Sequence, residues 1–366
     1  MAADQGSSTA VTAHSDPRPR GVLLINLGSP EATTPRAVKK YLRQFLSDPK
    51  VLDFPAPLRR ALLEAVVLPV RSRRSARMYQ SIWTTQGSPL LVHTKALAEA
   101  LHHDLTAGEA AQKAGSSPWV IEWAMRYGQP SIEQAWHRLR SAQVRDVVVV
   151  PLYPQETSST IGSAMDELRR VMARDWVPTP IRVVPPFHAD PGFLDAVSEV
   201  AAESLAQHGV DHVLFSFHSI PERHISKADA SGSHCLAAQY ACCSDTASPV
   251  AAGCYRAQCA RTAAAIAQRL SLAPSSWSIA FQSRLGRIPW AQPYTDLELD
   301  RLAAAGIKKI AVVCAAFTAD NLETLEEIGI RGRRRWLAAG GEDLVLVPGL
   351  NARASWVRAL SALVRA

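Results

Sequence analysis

His218 ends an apolar run, 212–217, and Glu323 follows closely after another, 310–314. A neutral imidazole and a carboxylate brought to one cleft can hold a divalent metal or move protons near neutral pH. Glu326 and Glu327 continue the second segment, and Glu323 and Glu327, four residues apart, fall on one face of a helix. Stacked like charges repel by a few tenths of a kcal/mol unless a cation passes between them, so a carboxylate ladder suits cation or proton passage. The same residues also suit a core histidine bonded to the backbone and a first turn favoured by the helix dipole.

Five of the six cysteines, Cys235, Cys242, Cys243, Cys254 and Cys259, lie within 25 residues of a Ser/Ala/Gly-rich stretch. Four thiolates from one loop can complete an iron–sulfur cluster or a zinc site, and either adds folding energy to a segment with little core of its own. The adjacent Cys242 and Cys243 depart from the CxxC zinc knuckle, so spacing leaves the metal open. Cys314 sits inside a strand pattern and reads as a small buried residue. The apolar segment 61–70 runs into Arg71, Arg73, Arg74 and Arg77. That pairing suits an anionic membrane surface, a flat apolar ligand with carboxylate tails, or a core helix with solvated arginines. A lipid leaflet, a second subunit and substrate are equal claimants for the apolar face, which leaves the oligomeric state open.

The elements that must position these groups alternate. Apolar runs at 21–28, 147–152, 181–184, 212–217, 277–281, 310–314 and 344–347 read as strands buried on both faces. Helical patterns lie at 35–46, 90–105, 132–142, 163–173, 192–207, 255–270, 295–305, 322–338 and 352–364. Such alternation predicts an α/β fold of two Rossmann-like, doubly wound parallel-sheet domains, with ligands beyond the carboxyl ends of the strands. The expected divisions are a disordered tail 1–20, an N-terminal domain 21–177 and a C-terminal domain 178–350 with a Cys-rich loop 228–259. A helix 351–366 is expected to pack back on the N-terminal half.

Composition narrows the class. With 47% hydrophobic and 20% charged residues among 366, the chain can bury a full core. The 40 Lys and Arg against 33 Asp and Glu give +7, which permits anionic partners without choosing one. Without a basic patch interleaved with aromatics, nucleic acid is not an expected partner. No apolar stretch reaches spanning length and the first residues lack a secretory core, so a reducing cytoplasm is the expected compartment.

The chain resembles the ferrochelatases from about residue 21 to the C-terminal helix. The likeness rests on Leu-Ile-Asn-Leu-Gly-Ser-Pro (24–30), Ile-Trp-Thr-Thr-Gln-Gly-Ser-Pro-Leu (82–90), Met-Arg-Tyr-Gly (125–128) and Pro-Leu-Tyr-Pro-Gln (151–155). It continues in Phe-Ser-Phe-His-Ser-Ile-Pro-Glu-Arg (215–223), Gln-Ser-Arg-Leu-Gly (282–286), Pro-Trp (289–290) and Leu-Glu-Thr-Leu-Glu-Glu-Ile (322–328). What the resemblance implies is a chelatase-type lyase that inserts Fe2+ into a porphyrin between two domains, the last metal step of haem synthesis. It implies His218 as the group that takes a pyrrole proton or contacts the iron, Glu323 as the facing carboxylate, and Glu327 behind it.

Arg126, Tyr127 and Trp290 match pocket-lining positions, and Arg71 is a candidate partner for a propionate. Coproporphyrin-type members carry tyrosine at the position of Leu27 and protoporphyrin-type members an apolar residue, so protoporphyrin IX is the implied substrate. A coproporphyrin III chelatase and a non-catalytic haem- or iron-sensing protein are the alternatives. Asn321 departs from relatives that often have His or Cys there. The thiol segment resembles that of bacterial members holding a [2Fe–2S] cluster, which implies Cys235, Cys242, Cys243 and Cys254 as ligands. Cys259 matches a cysteine of cluster-free members. The resemblance further implies a cytoplasmic or membrane-peripheral protein.

Overall fold

The computed structural model describes residues 16–110, 118–244, 248–284, 286 and 288–366. The first apolar run forms β1 (Arg20–Gly28), where Val22, Leu23, Leu24 and Ile25 have no exposed surface, as a strand covered on both faces requires. Helix α1 (Pro35–Leu46) starts with Pro35 in its first turn, and the Thr34 hydroxyl accepts the Ala37 N–H as its cap. Helix α2 (Ala56–Leu62), a π-helical turn (Leu63–Val67) and α3 (Leu68–Ile82) make one arm. Then come α4 (Pro89–Ala110), β2 (Trp119–Tyr127), α5 (Ile132–Ser141) and β3 (Asp146–Pro151). A second π turn (Ser158–Gly162) leads into α6 (Ser163–Met172), and β4 (Ile181–Val183) follows.

The second half runs α7 (Pro191–His208), β5 (His212–His218), α8 (Glu222–Ala228), α9 (Pro249–Gly253) and α10 (Tyr255–Arg269). It continues with β6 (Trp277–Gln282), α11 (Thr295–Ala304), β7 (Lys309–Val313) and a long π-helical segment, Glu323–Gly332. The chain ends with α12 (Arg333–Ala338), β8 (Asp343–Leu346) and α13 (Ala354–Arg365). The strands form two four-stranded parallel sheets, ordered β2-β1-β3-β4 and β6-β5-β7-β8. The order is the same in both, so the two similar halves expected from the sequence are present as one topology used twice. One core cluster joins them, running from Val22, Leu24 and Val148 through Phe193 and Trp356 to Phe215 and Ala311. No described helix is long and apolar enough to cross a membrane.

Several expectations are corrected. The strand at 181–184 was assigned to the C-terminal domain, yet β4 pairs with β3 in the first sheet, so the division at 177/178 falls one strand too early. Strand β2 was not expected, because Glu122 and Arg126 break its apolar pattern at the edge of the sheet. Residues 1–15 of the expected tail lie outside the described residues. Its last part is bonded, since Arg145 donates its N–H to the Pro19 carbonyl at 2.9 Å and Arg20 opens β1. The single helix expected at 322–338 is a π-helical segment followed by α12. Helix α13 packs on α4 of the first half and on α7.

Two motif glycines have a steric reason. The carboxyl ends of β1 and β2 approach so closely that a Cβ on Gly28 (φ +122) would lie 1.7 Å from the Tyr127 carbonyl oxygen. One on Gly128 (φ +93) would lie 2.7 Å from the Ser29 carbonyl. Only glycine allows both the conformation and the approach.

Candidate active site

His218 closes β5 and pairs in register with Gln282 at the end of β6. Its Nδ1 lies 2.6 Å from the Ser219 carbonyl oxygen. A carbonyl only accepts, so Nδ1 carries the proton and Nε2 keeps a lone pair. Nε2 has no partner among the described residues. The Phe317 ring stands edge-on at 6.3 Å. Protein surrounds the imidazole on most sides, although some of its surface remains open to solvent. Burial lowers its pKa, against the charge of Glu327 and the Ser219 carbonyl, so the ring is neutral at neutral pH.

The carboxylates are set by the end of β6. Gln282 Nε2 donates to the Glu323 carbonyl at 2.9 Å, while its own carbonyl accepts the Ser219 N–H at 2.7 Å. The Ser283 N–H and hydroxyl reach the two oxygens of Glu327 at 2.9 and 2.5 Å, with Ser283 held at φ +69. His218, Glu323 and Glu327 are thus gathered at one sheet end through two consecutive residues. Burial raises the Glu323 carboxyl to about 7, its own backbone N–H opposes, and Glu327 and Glu326 push it further up. Its charge also reaches Tyr41 and Tyr79 of the first half, so Glu323 sits where the halves meet.

The ladder expected on an α-helix is π-helical, a form that recurs at functional sites. The wider turn changes the stacking of Glu323 and Glu327 from the expected full-turn spacing. Asn321 acts as a cap here, its side-chain oxygen accepting the N–H groups of Glu323 at 2.9 Å and Thr324 at 3.0 Å. Glu326, expected with the ladder, is instead buried and paired with Arg331 at 2.9 Å.

The residues expected on the pocket wall divide into open and closed. Leu27 is partly buried between the first-half core and the cluster under the α1–α3 arm. Arg71, on α3, has no hydrogen bond or ion pair among the described residues, and burial followed by the Arg74 charge lowers its pKa. Trp290 is half-buried, and its backbone bridges to Pro221 in the loop after His218. Arg126 and Tyr127, by contrast, face a closed network and not an open wall. Arg126 donates to Asp48 at 2.7 Å and to the Ser163 hydroxyl at 2.7 Å, while the buried Tyr127 hydroxyl donates to Asp48 at 2.9 Å. Asp48, Gln282 and Ser283 were given no role from the sequence. The last two stand in a motif that carried the resemblance, whereas Asp48 lies in a loop with no pattern of its own.

All six thiols are free. Cys254, the N-cap residue of α10, shares hydrogen bonds with the thiols of Cys243 and Cys235, and Cys242 lies near enough to Cys235 to perturb it. The hydrogen bond from Cys243, with the backbone N–H groups of Ala257 and Arg256, lowers the Cys254 pKa to about 5 against burial. The Arg256 guanidinium reaches Cys243. Cys259 is buried on α10 against Tyr255, where the charge of Cys254 still reaches it. Among the described residues no three His, Cys, Asp or Glu are arranged as a closed metal site. The thiols of Cys235, Cys243 and Cys254 meet, with Cys242 near them, but among the described residues they adopt no coordination shell. The expected loop 228–259 is largely structured, with a 3-10 turn (Ala237–Ser244) and α9, while 245–247 lie outside the described residues.

Two doubly wound parallel sheets of one strand order, with an imidazole and two carboxylates gathered at the end of one, define the class as an α/β protein with its candidate site beyond the strand ends. The chain belongs to the ferrochelatase family, whose model matches residues 19–366. It is 47% identical over 344 residues to the ferrochelatase of Azotobacter vinelandii, covering 94% of this chain and 98% of that one. It is 49% identical over 343 residues to that of Ectopseudomonas mendocina, covering 93% and 96%.

Proposed function

We propose that this chain inserts Fe2+ into protoporphyrin IX, with His218 and Glu323 at the reacting centre. The observation that carries the reading is the unpartnered Nε2 of a neutral, half-buried His218 at the sheet end whose next strand, through Gln282 and Ser283, also anchors Glu323, a carboxyl raised to about 7, and Glu327. Metal insertion breaks two pyrrole N–H bonds and forms four Fe–N bonds without change of oxidation state. His218 Nε2 accepts one proton and becomes imidazolium. Glu323, half ionised near neutral pH, attracts the cation and accepts the second proton as the iron leaves its oxygen. Glu327, pinned by Ser283, stands behind both groups.

Leu27 favours the apolar edge of protoporphyrin, Arg71 supplies a cation for a propionate, and Trp290 lines the cleft. Arg126 and Tyr127 support that wall through Asp48. The exposed Leu58, Val66 and Val70, among the arginines of the α2–α3 arm, suit a peripheral contact with an anionic membrane surface. Cys235, Cys242, Cys243 and Cys254 would hold a [2Fe–2S] cluster, which when bound supplies one-electron chemistry and folding energy.

Anaerobic turnover of Fe2+ with protoporphyrin IX and with coproporphyrin III tests the reading. Preferred turnover of protoporphyrin, lost in His218→Ala, is expected. Tight porphyrin binding without insertion, or full activity of the variant, overturns it. A coloured preparation with sulfide-to-iron charge-transfer absorbance is expected for the thiol segment, whereas a colourless protein with one bound zinc excludes the cluster.

A further inference from the structure

The thiol segment backs the loop that follows His218 and is tied to it at three points. Tyr255, the residue after Cys254, is buried and donates its hydroxyl to the main-chain carbonyl of His218 at 2.7 Å. Arg256 donates to the Gln292 carbonyl at 3.1 and 3.0 Å. The adjoining Ala291 donates its N–H to the Ile220 carbonyl and accepts the Ser219 hydroxyl, both at 2.9 Å. Tyr240, which lies between Cys235 and Cys242, donates its hydroxyl to Glu222 and carries the Arg256 guanidinium 4.0 Å above its ring.

The His218 peptide is where β5 ends, so its carbonyl direction fixes both the imidazole and the Ser219 oxygen that selects its tautomer. We propose that Tyr255 is a positioning residue that ties this peptide to the thiol segment, so that bonding at Cys254 sets how the His218 imidazole is held. The proposal rests on the reading of His218 as the proton acceptor. Cys254 is the N-cap residue of α10, immediately before Tyr255 in its first turn, and its sulfur touches two other thiols. A change at that sulfur therefore reaches the His218 carbonyl through one helical turn and one hydrogen bond.

The test is a double-mutant cycle of Tyr255→Phe and Cys254→Ser, read by anaerobic kinetics and by 15N NMR of histidine-labelled protein. The His218 resonances are assigned by their absence in His218→Ala. Leaving a buried carbonyl unpaired is expected to lower kcat about tenfold in Tyr255→Phe while the porphyrin KM stays within about twofold. Cys254→Ser is expected to lower kcat and move the His218 resonances when Tyr255 is present, and to add nothing in the Tyr255→Phe background. Unchanged kcat in Tyr255→Phe overturns the proposal, as does an effect of Cys254→Ser that is equal in both backgrounds. Should Cys254→Ser not fold, Cys235→Ser gives the same comparison from the other end of the segment. Failure of the unsubstituted protein to turn over porphyrin removes the proposed function, while the NMR arm still decides the tie.

Discussion

The two halves use one strand order but finish equivalent strands differently. By register, Asn26 pairs with Met125 as Phe217 pairs with Phe281, and Met125 and Phe281 donate their N–H groups to Pro130 and Pro293 in matching loops. Leu27 thus corresponds to His218, and Arg126 to Gln282. In the first half the polar groups at the strand ends close on one another, with Asp48 accepting from Arg126, Tyr127 and Ser163. In the second half His218 keeps an unused lone pair, and Glu323 has no ion pair among the described residues and a carboxyl that burial drives toward neutrality. Satisfied polar groups hold a fold, whereas under-satisfied ones hold free energy for a ligand. The duplication supplies the frame, and the proposed proton and iron chemistry falls to the half left incomplete.

The largest expected effects fall on opposite observables. His218→Ala should lower iron insertion by about 10²–10⁴-fold, the range of a lost general base, with little change in the thermal midpoint. Asp48→Ala should do the reverse of this to the fold, costing about 3 kcal/mol because it strands the Arg126 cation in a buried site. Anaerobic kinetics and thermal melting of both variants separate the roles. A cold-stable but unfolding-prone His218→Ala protein would break the comparison.

The two carboxylates should also respond to pH with opposite sign. Burial raises the Asp48 pKa, but hydrogen bonds from Ser163, the Lys50 N–H and Tyr127, with the Arg126 charge, bring it below 3.8 overall. Its folded form releases its proton more readily than the unfolded chain, so its stabilisation is present above the unfolded value and lost as pH falls. Glu323, raised from 4.5 to about 7, binds an extra proton in the folded state between those values, so its contribution is full below 4.5 and lost as pH rises to 7. Asp48→Asn should therefore lower the melting temperature at pH 7.5, an effect that shrinks under acid. Glu323→Gln should gain stability on the order of 1 kcal/mol at pH 8, after screening by cleft water, and nothing at pH 4. The acid limb of the rate, set near pH 7 by Glu323, should vanish with the activity in that variant. Parallel pH trends for both substitutions would show that the halves are not electrostatically opposed.

What could be read in advance follows from where the information resides. Strands β1, β5 and β7 were legible because a strand buried on both faces is an uninterrupted apolar run. Strand β2 was not, since an edge strand can carry Glu122 and Arg126 at little cost. His218 and Glu323 were legible as polar residues at the ends of such runs. The division of the arginines was not, because whether a cation is free or paired depends on a distant partner, as Asp48 is to Arg126 across 78 positions. The π-helical form of 323–332 left no sign in a pattern that reads equally well at the α-helical period. Tyr255 opens the helical pattern at 255–270, but its bond to the His218 carbonyl joins a helix and a strand end whose meeting only the folded chain shows.

The smallest expected effect sharpens the comparison at the level of single arginines. Arg71 and Arg126 are both partly buried, yet only Arg126 has an acid within reach. A cation without a partner is under-stabilised until an anion arrives, so Arg71→Ala should raise the porphyrin KM by about fivefold, the worth of roughly 1 kcal/mol, with kcat nearly unchanged. The same substitution should leave the melting temperature level or slightly raised, because it removes a desolvated charge. Arg126→Ala should instead lower the melting temperature, since it leaves Asp48 buried without its counter-charge. Steady-state kinetics with protoporphyrin and with its dimethyl ester complete the test: the ester lacks the anions, so the penalty of Arg71→Ala should disappear with it. A penalty that persists with the ester would place Arg71 against the macrocycle or the lipid and not against a carboxylate.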